Sequence, residues 1–357
     1  MNKNNYVVIM AGGVGSRFWP YSRTTKPKQF LDILNTGRTL IQMTYDRFKN
    51  KVPEENIYVV THQDYGDLVK EQLPKLTNDQ ILLEPLRRNT APCIAYASYK
   101  IAKKDPDAII TIAPSDHLIV DEGQFLSYWE KALEAASDQE KLITLGLKPN
   151  KPETGFGYIQ FLDEKGSIKK VKTFTEKPEK QLAEKFIESG DFLWNSGIFI
   201  WGVQAIIKAI EDCLPELSEL FEEALPKLST SDEAAAISLV YSQCTNISID
   251  FGVMENASSV YVVPSQFTWS DLGSWNAMHE HSEKDANDNV LQANTLVYDT
   301  KNTLIKGPRD KLIIVQGLQN YMVTECDNVL LICRRDNEQK FRDFVADVKK
   351  SKGKEFL

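Results

Sequence analysis

This sequence predicts an α/β protein: a doubly wound, mainly parallel sheet followed by a small all-β domain. Three observations carry that reading. Through residue 147, short apolar runs alternate with stretches of helical periodicity, the pattern of βαβ units and a buried parallel sheet. The first apolar run, residues 6–10, ends in a glycine-rich loop. After residue 289, short β runs separated by turn residues replace the helical pattern.

In chain order, strands are expected at residues 6–10, 57–61, 81–84, 108–113 and 142–147. Helices are expected at 40–48, 65–73 and 91–104, and through Phe125, Trp129, Leu133 and Ala136 at helical spacing. Pro92 suits the first turn of its helix. From 155 to about 270, strands at 157–161, 198–201 and 260–263 are interleaved with helices at 181–188 and 203–210, and 214–240 reads as helices broken at Pro226 and at Ser229-Thr230-Ser231. These read as insertions on the same sheet. Residues 283–289 form a polar, Asn/Asp-rich linker. Beyond it come β runs at 295–298, 303–305, 312–315, 321–324 and 329–333, then a basic helix at 337–350. The chain therefore divides by sequence into a domain of residues 1–285 and a small β-rich domain of residues 286–357 with a terminal helix.

The chain has 357 residues, with 42 Lys+Arg against 50 Asp+Glu for a net charge of −8, and 42% hydrophobic residues. These values exclude a disordered chain or a disulfide miniprotein, and they argue against nucleic acid or an anionic membrane as a partner held by bulk electrostatics. An anionic ligand needs a local cationic pocket instead. Five scattered cysteines without a CxxC fit a reduced compartment. No run approaches the roughly 20 apolar residues of a membrane span. A cytoplasmic protein is expected.

The loop Ala11-Gly12-Gly13-Val14-Gly15-Ser16-Arg17 follows the first strand, where α/β sheets bind ligands. Glycines let backbone N–H groups approach a phosphate closely. The loop is neither a Walker A motif, which needs Gly-Lys-Ser/Thr, nor the dinucleotide fingerprint, which needs a third glycine where Phe18 stands. Arg17, Arg23, Lys26 and Lys28 follow in one stretch marked by Pro20 and Pro27, a set of cations suited to a polyphosphate.

The stretch from Ala11 to Arg23, followed by Pro27-Lys28-Gln29-Phe30, resembles the signature of the sugar-1-phosphate nucleotidylyltransferases, and its Trp19-Pro20 and Pro-Lys-Gln-Phe elements resemble the branch that joins mannose 1-phosphate to GTP. Further segments match in order: Glu84-Pro85 with Arg88-Asn89-Thr90-Ala91-Pro92, Pro114-Ser115-Asp116-His117, Phe174 to Pro178, Trp194 to Phe199, Ile249 to Glu255, and Trp269 to Trp275. The resemblance implies a Rossmann-like nucleotidyltransferase sheet with a β-helix-like tail, and a homodimer. It implies transfer of GMP from GTP to mannose 1-phosphate with Mg²⁺, releasing pyrophosphate and giving GDP-mannose.

It also implies roles. Arg17 and Lys28 are the catalytic cations. Ala11, Gly12, Gly13, Gly15, Ser16, Arg88, Asn89, Thr90 and Ser115 bind the nucleotide. Gly157, Tyr158, Glu176, Lys177, Asn195, Asp250 and Glu255 bind the sugar phosphate. Asp116 and Asp271 carry the metal. In such a reaction the nucleophile is already an anion, so catalysis is alignment and charge neutralisation. Two rival readings remain: a nucleotidylyltransferase for another NTP or a related sugar 1-phosphate, and a catalytically silent regulatory or binding subunit. The presence of Asp116, Asp271, Arg17 and Lys28 argues against the second.

Overall fold

The computed structural model describes residues 2–357, except the side chains of Ser16 and Lys354. Two compact units emerge. Unit 1 is Met1–Gly12, Thr44–Ser115 and Ile119–Trp269; unit 2 is Gly13–Met43, Asp116–Leu118 and Ser270–Leu357. The division expected near residue 285 differs from this one, because the signature segment Gly13–Met43 groups with the C-terminal region.

The strands begin with β1 (Asn5–Met10), β2 (Ile57–His62), β3 (Ile81–Glu84), β4 (Ile109–Pro114) and β5 (Leu118–Ile119). They continue with β6 (Leu142–Leu147), β7 (Gly157–Phe161), β8 (Lys169–Glu176), β9 (Phe192–Gly202) and β10 (Val260–Ser265). Nine of these, all but β5, form one sheet in unit 1 with order β3-β2-β1-β4-β9-β6-β10-β8-β7. The first four pair in parallel, as do β6 and β10. β9 runs antiparallel to β4, β6 and β7, and β8 runs antiparallel to β7 and β10. The sheet is thus mixed rather than mainly parallel. Its parallel half reads as largely β-branched runs such as Tyr6-Val7-Val8-Ile9, buried on both faces of the sheet. The helix Thr90–Lys104 shows the local logic: Asn89 caps its start, Pro92 sits in its first turn, and Lys103 and Lys104 lie in its last. One apolar cluster runs from Tyr6 and Val8 through Trp201 to Tyr241 and Val262.

Unit 2 contains β12 (Val290–Gln292), β13 (Asn294–Tyr298), β14 (Leu304–Lys306), β15 (Leu312–Gln316), β16 (Tyr321–Cys326) and β17 (Val329–Arg334), after the two-residue strand β11 (Trp269–Ser270). β12, β14 and β16 stack in parallel, putting Val290, Leu304 and Met322 in register, while β13 pairs in parallel with β15. The apolar rungs continue into Phe18, Leu31, Ile33, Trp275 and Phe341 to make one core. The polar stretch read as a linker is a folded turn: buried Asn289 donates to Asp285 and to the Thr300 carbonyl, and accepts the Thr303 N–H at 3.0 Å. Its exposed residues remain polar, while the Asn289 side chain serves buried hydrogen bonds.

Candidate active site

In unit 2 the glycine loop folds back onto the lysine that follows it. Gly15 has φ of +59°, and a Cβ there would lie 2.6 Å from Lys28 Cβ, so the turn requires glycine. Ser22 Oγ donates to the Gly15 carbonyl at 2.6 Å, and Gln29 Nε2 donates to the Gly13 carbonyl at 2.8 Å. Lys28 is buried. Its ammonium donates to the carbonyls of Asp271 at 2.8 Å and Leu272 at 3.1 Å, and pairs with the Asp116 carboxylate at 2.8 Å. Burial pushes the Asp116 carboxyl up, but Lys28 and His117 outweigh it and hold it below the usual carboxylate range. Asp271 Oδ1 accepts the Gly273 N–H at 2.9 Å, and Arg17, otherwise exposed, donates to the Gly273 carbonyl at 3.4 Å.

Lys28 thus links the Asp116 carboxylate to the Asp271–Leu272 backbone, and Arg17 touches the same loop at Gly273. Arg23 does not join them: its guanidinium donates to the Cys326 and Glu355 carbonyls, both at 3.2 Å, and to Asn328 Oδ1 at 2.9 Å. That cation fastens the C-terminal region. Among the described residues, no group of three or more His, Cys, Asp or Glu side chains is placed to hold a metal. Two hard carboxylates completed by substrate phosphate oxygens are nevertheless a donor set that suits Mg²⁺.

In unit 1, Ala11 and Gly12 continue from β1. Ala11 donates to the Val60 carbonyl at 2.8 Å and accepts from Thr61 Oγ1 at 2.9 Å. A Cβ on Gly12 would come within 3.0 Å of Glu84 Oε2, so the backbone passes close to that carboxylate. Glu84 ends β3. Burial pushes its carboxyl up to about 7, against the opposing pull of the Tyr241 hydroxyl, which donates to Oε1 at 3.0 Å, and of Arg87. The sequence placed Glu84 in the nucleotide segment without singling it out, and nothing in the chain flags Tyr241, 157 residues away.

The expected base contacts are mostly spent on structure. Arg88 Nε donates to the Tyr241 carbonyl at 3.0 Å, Asn89 caps its own helix, and Thr90 Oγ1 accepts the Ile249 N–H at 2.8 Å. Ser115 donates its N–H to the Met10 carbonyl at 3.0 Å. The Ser16 side chain lies outside the described residues.

The expected sugar residues largely converge. Asn195 Nδ2 donates to Asp250 Oδ1 at 2.9 Å, while Asn195 Oδ1 accepts from Thr144 Oγ1 and from the Gly197 N–H, both at 3.1 Å. Glu176 pairs with Lys177, and a Cβ on Gly157 would lie 2.5 Å from Glu176 Oε2. Burial first, and then the Glu176 charge, pushes Asp250 up to about 7. Glu255 is also raised, by burial and by Glu176. Tyr158 is the exception. Neighbouring residues of a strand face opposite ways, and its buried ring packs 5.4 Å from Phe186, on the other face from Gly157.

The nucleotidyl transferase family model matches residues 6–288. A mannose-1-phosphate guanylyltransferase of Klebsiella pneumoniae is 33% identical over 356 residues, 98% of this chain and 75% of that one. The alginate biosynthesis protein AlgA of Pseudomonas aeruginosa is 34% identical over 350 residues, covering 96% and 71%. A crystal structure from Thermus thermophilus, described as a mannose-1-phosphate geranyltransferase, superposes with a TM-score of 0.86 at 30% identity, over 97% of this chain and 99% of that one. With the family model matched from β1 to beyond the Asp271 loop and relatives alike over nearly the whole chain, the chain belongs to the nucleotidyl transferase family.

Proposed function

We propose that this chain transfers GMP from GTP to mannose 1-phosphate, giving GDP-mannose and pyrophosphate. The observation that carries the reading is likeness to mannose-1-phosphate guanylyltransferase relatives across a span that includes every group described above. The attacking sugar phosphate is an anion and needs no protein base, so the residues act by alignment and charge. Lys28 and Arg17 supply positive charge for the triphosphate, and the backbone of the Gly12–Gly15 loop supplies N–H groups. Asp116 and Asp271 would hold Mg²⁺, which screens the repulsion between two anionic substrates.

Glu84, when ionised, accepts from the N1–H and exocyclic amine of guanine, a donor pair that adenine lacks. Glu176, Asn195, Asp250 and Glu255 take mannose hydroxyls, and Lys177 takes the sugar phosphate. The test is pyrophosphate release over a panel of nucleoside triphosphates and hexose 1-phosphates. GTP with mannose 1-phosphate should give the highest kcat/KM. A faster pair would install the alternative substrate reading, and silence across the panel the binding-subunit reading.

The reading extends to a homodimer in the cytoplasm. Leu296 and Tyr298 on β13 and Leu312 and Ile314 on β15 are between 46% and 60% exposed, an apolar face that supports self-association. All five cysteines are unpaired, which supports a reducing compartment. No helix among the described residues is long and apolar enough to cross a membrane.

A further inference from the structure

The helix Trp275–His281 starts just after the Gly273 N–H closes on Asp271. The first turn of any helix presents backbone N–H groups with no acceptor inside the helix. Ser274 Oγ takes that of Ala277 at 3.1 Å. A single carboxylate from far along the chain serves the others. Glu338 Oε1 accepts from the Trp275 N–H and, at 3.4 Å, from the Asn276 N–H, while Oε2 accepts the Asn276 side-chain amide at 2.7 Å. Arg335 holds Asn276 as well: its Nε donates to Asn276 Oδ1 at 2.9 Å, and its carbonyl accepts the Asn276 amide at 3.2 Å. Arg335 is buried and is itself fixed by Asn302 Oδ1, 2.6 Å from Nη1.

What this helix start holds gives the carboxylate its importance. The Trp275 ring lies 5.0 Å from that of Phe18 and 6.1 Å from that of Tyr21, both in the signature segment. Lys28 sits 5.8 Å over the Phe18 ring, and its ammonium is bound by the carbonyls of Asp271 and Leu272, four and three residues before Trp275. Leu272 has φ of +42°, a left-handed backbone that a leucine keeps only where its surroundings hold it. A negative charge at the positive end of the helix fixes its first turn, and with it the backbone leading back to Leu272.

We infer that Glu338 is a positioning residue for phosphoryl transfer: it anchors the helix start that sets the Asp271–Leu272 carbonyls holding Lys28. The inference rests on the reaction proposed above for its kinetic consequence, but its structural half stands alone. In the full chain assayed with GTP and mannose 1-phosphate, Glu338→Ala should lower kcat by roughly 10- to 100-fold relative to wild type, the scale on which small misplacements act. The KM for mannose 1-phosphate should not change, because the groups proposed to bind it lie elsewhere, in unit 1. Glu338→Gln keeps an acceptor for the N–H groups and should recover most of the rate.

Hydrogen exchange followed by mass spectrometry supplies the independent arm. Glu338→Ala should speed exchange at residues 270–277 and leave β1 and the helix Thr90–Lys104 unchanged. Unaltered exchange at 270–277 overturns the inference whatever the substrates prove to be. So does a loss of rate that merely follows the folded fraction measured by circular dichroism. A wild-type protein inactive on this substrate pair, with the exchange result as expected, would overturn the functional reading and leave Glu338 as the anchor of that loop.

Discussion

Glu84 titrates where a cell's pH lies, and that gives it two opposite signatures. Its carboxyl is raised to about 7 from 4.5, chiefly by burial. In the proposed role only the ionised form accepts from guanine. Affinity for a guanine nucleotide should therefore fall about tenfold for each pH unit below about 7. Stability of the unliganded protein runs the other way. The folded state binds the extra proton between 4.5 and about 7, so this contribution is full below 4.5 and is lost as pH rises through about 7. Glu84→Gln should flatten both profiles, read by calorimetric titration with GTP and by urea unfolding; an unchanged slope in either would remove the assignment. Lys28→Ala should cost at least about 2–3 kcal/mol in kcat/KM, the scale of removing a preorganised charge, and near-normal steady-state kinetics would count against it. Asp116 stood out in the sequence because it follows the end of β4, and Lys28 because it closes a stretch dense in cations and prolines. The places of Arg23 and Arg88 were not legible: both look like phosphate or base ligands in sequence, and only the fold supplies the carbonyls, Cys326 and Tyr241, that engage them.

At the scale of elements, β9 was the hardest to read. Only residues 198–201 were expected, but the strand runs from Phe192 to Gly202. Asn195-Ser196-Gly197 has the chemistry of a turn, and Gly197 does take φ of +71°. The chain stays in the sheet because β9 bulges: Thr144 pairs with Phe199 and Gly146 already with Asn195, and buried Thr144 Oγ1 lies 3.1 Å from both Asn195 Oδ1 and the Ile198 carbonyl. That irregularity turns Asn195 toward Asp250. Thr144→Val, close in shape but without the hydroxyl, should cost about 0.5–1.5 kcal/mol by removing this buried hydrogen bond, Asn195 Oδ1 keeping the Gly197 N–H. Urea unfolding measures that loss. The KM for mannose 1-phosphate should rise with it, and a variant matching wild type in both would deny the bulge this role. The parallel strands β1 to β4 were legible almost to the residue, since both faces are covered and each reads as an unbroken apolar run.

For the whole molecule, alternation of element types gave the α/β class directly, but the division of the chain escaped it. Composition shifts near residue 285, yet Phe18, Leu31 and Ile33 share one core with Val290, Leu304 and Met322. Pairing between distant segments leaves no mark on local composition. The same tail carries the apolar face of β13 and β15. Ile314→Lys should shift the proposed dimer to monomer in light scattering while leaving the monomer folded; an unchanged mass would place the interface elsewhere. The core shared by distant segments also bears on how the protein is made. Trp19 Nε1 donates to the Phe356 carbonyl at 2.7 Å, and Arg23 reaches Cys326 and Glu355. While the ribosome is still translating, the segment carrying Trp19 and Arg23 waits for these partners, which lie 303 to 337 residues further along. At about 5–20 residues per second that separation lasts on the order of tens of seconds. Through that time Trp19 and Arg23 lack the carbonyls that fasten them, and a chain ending before Cys326 supplies none of the three.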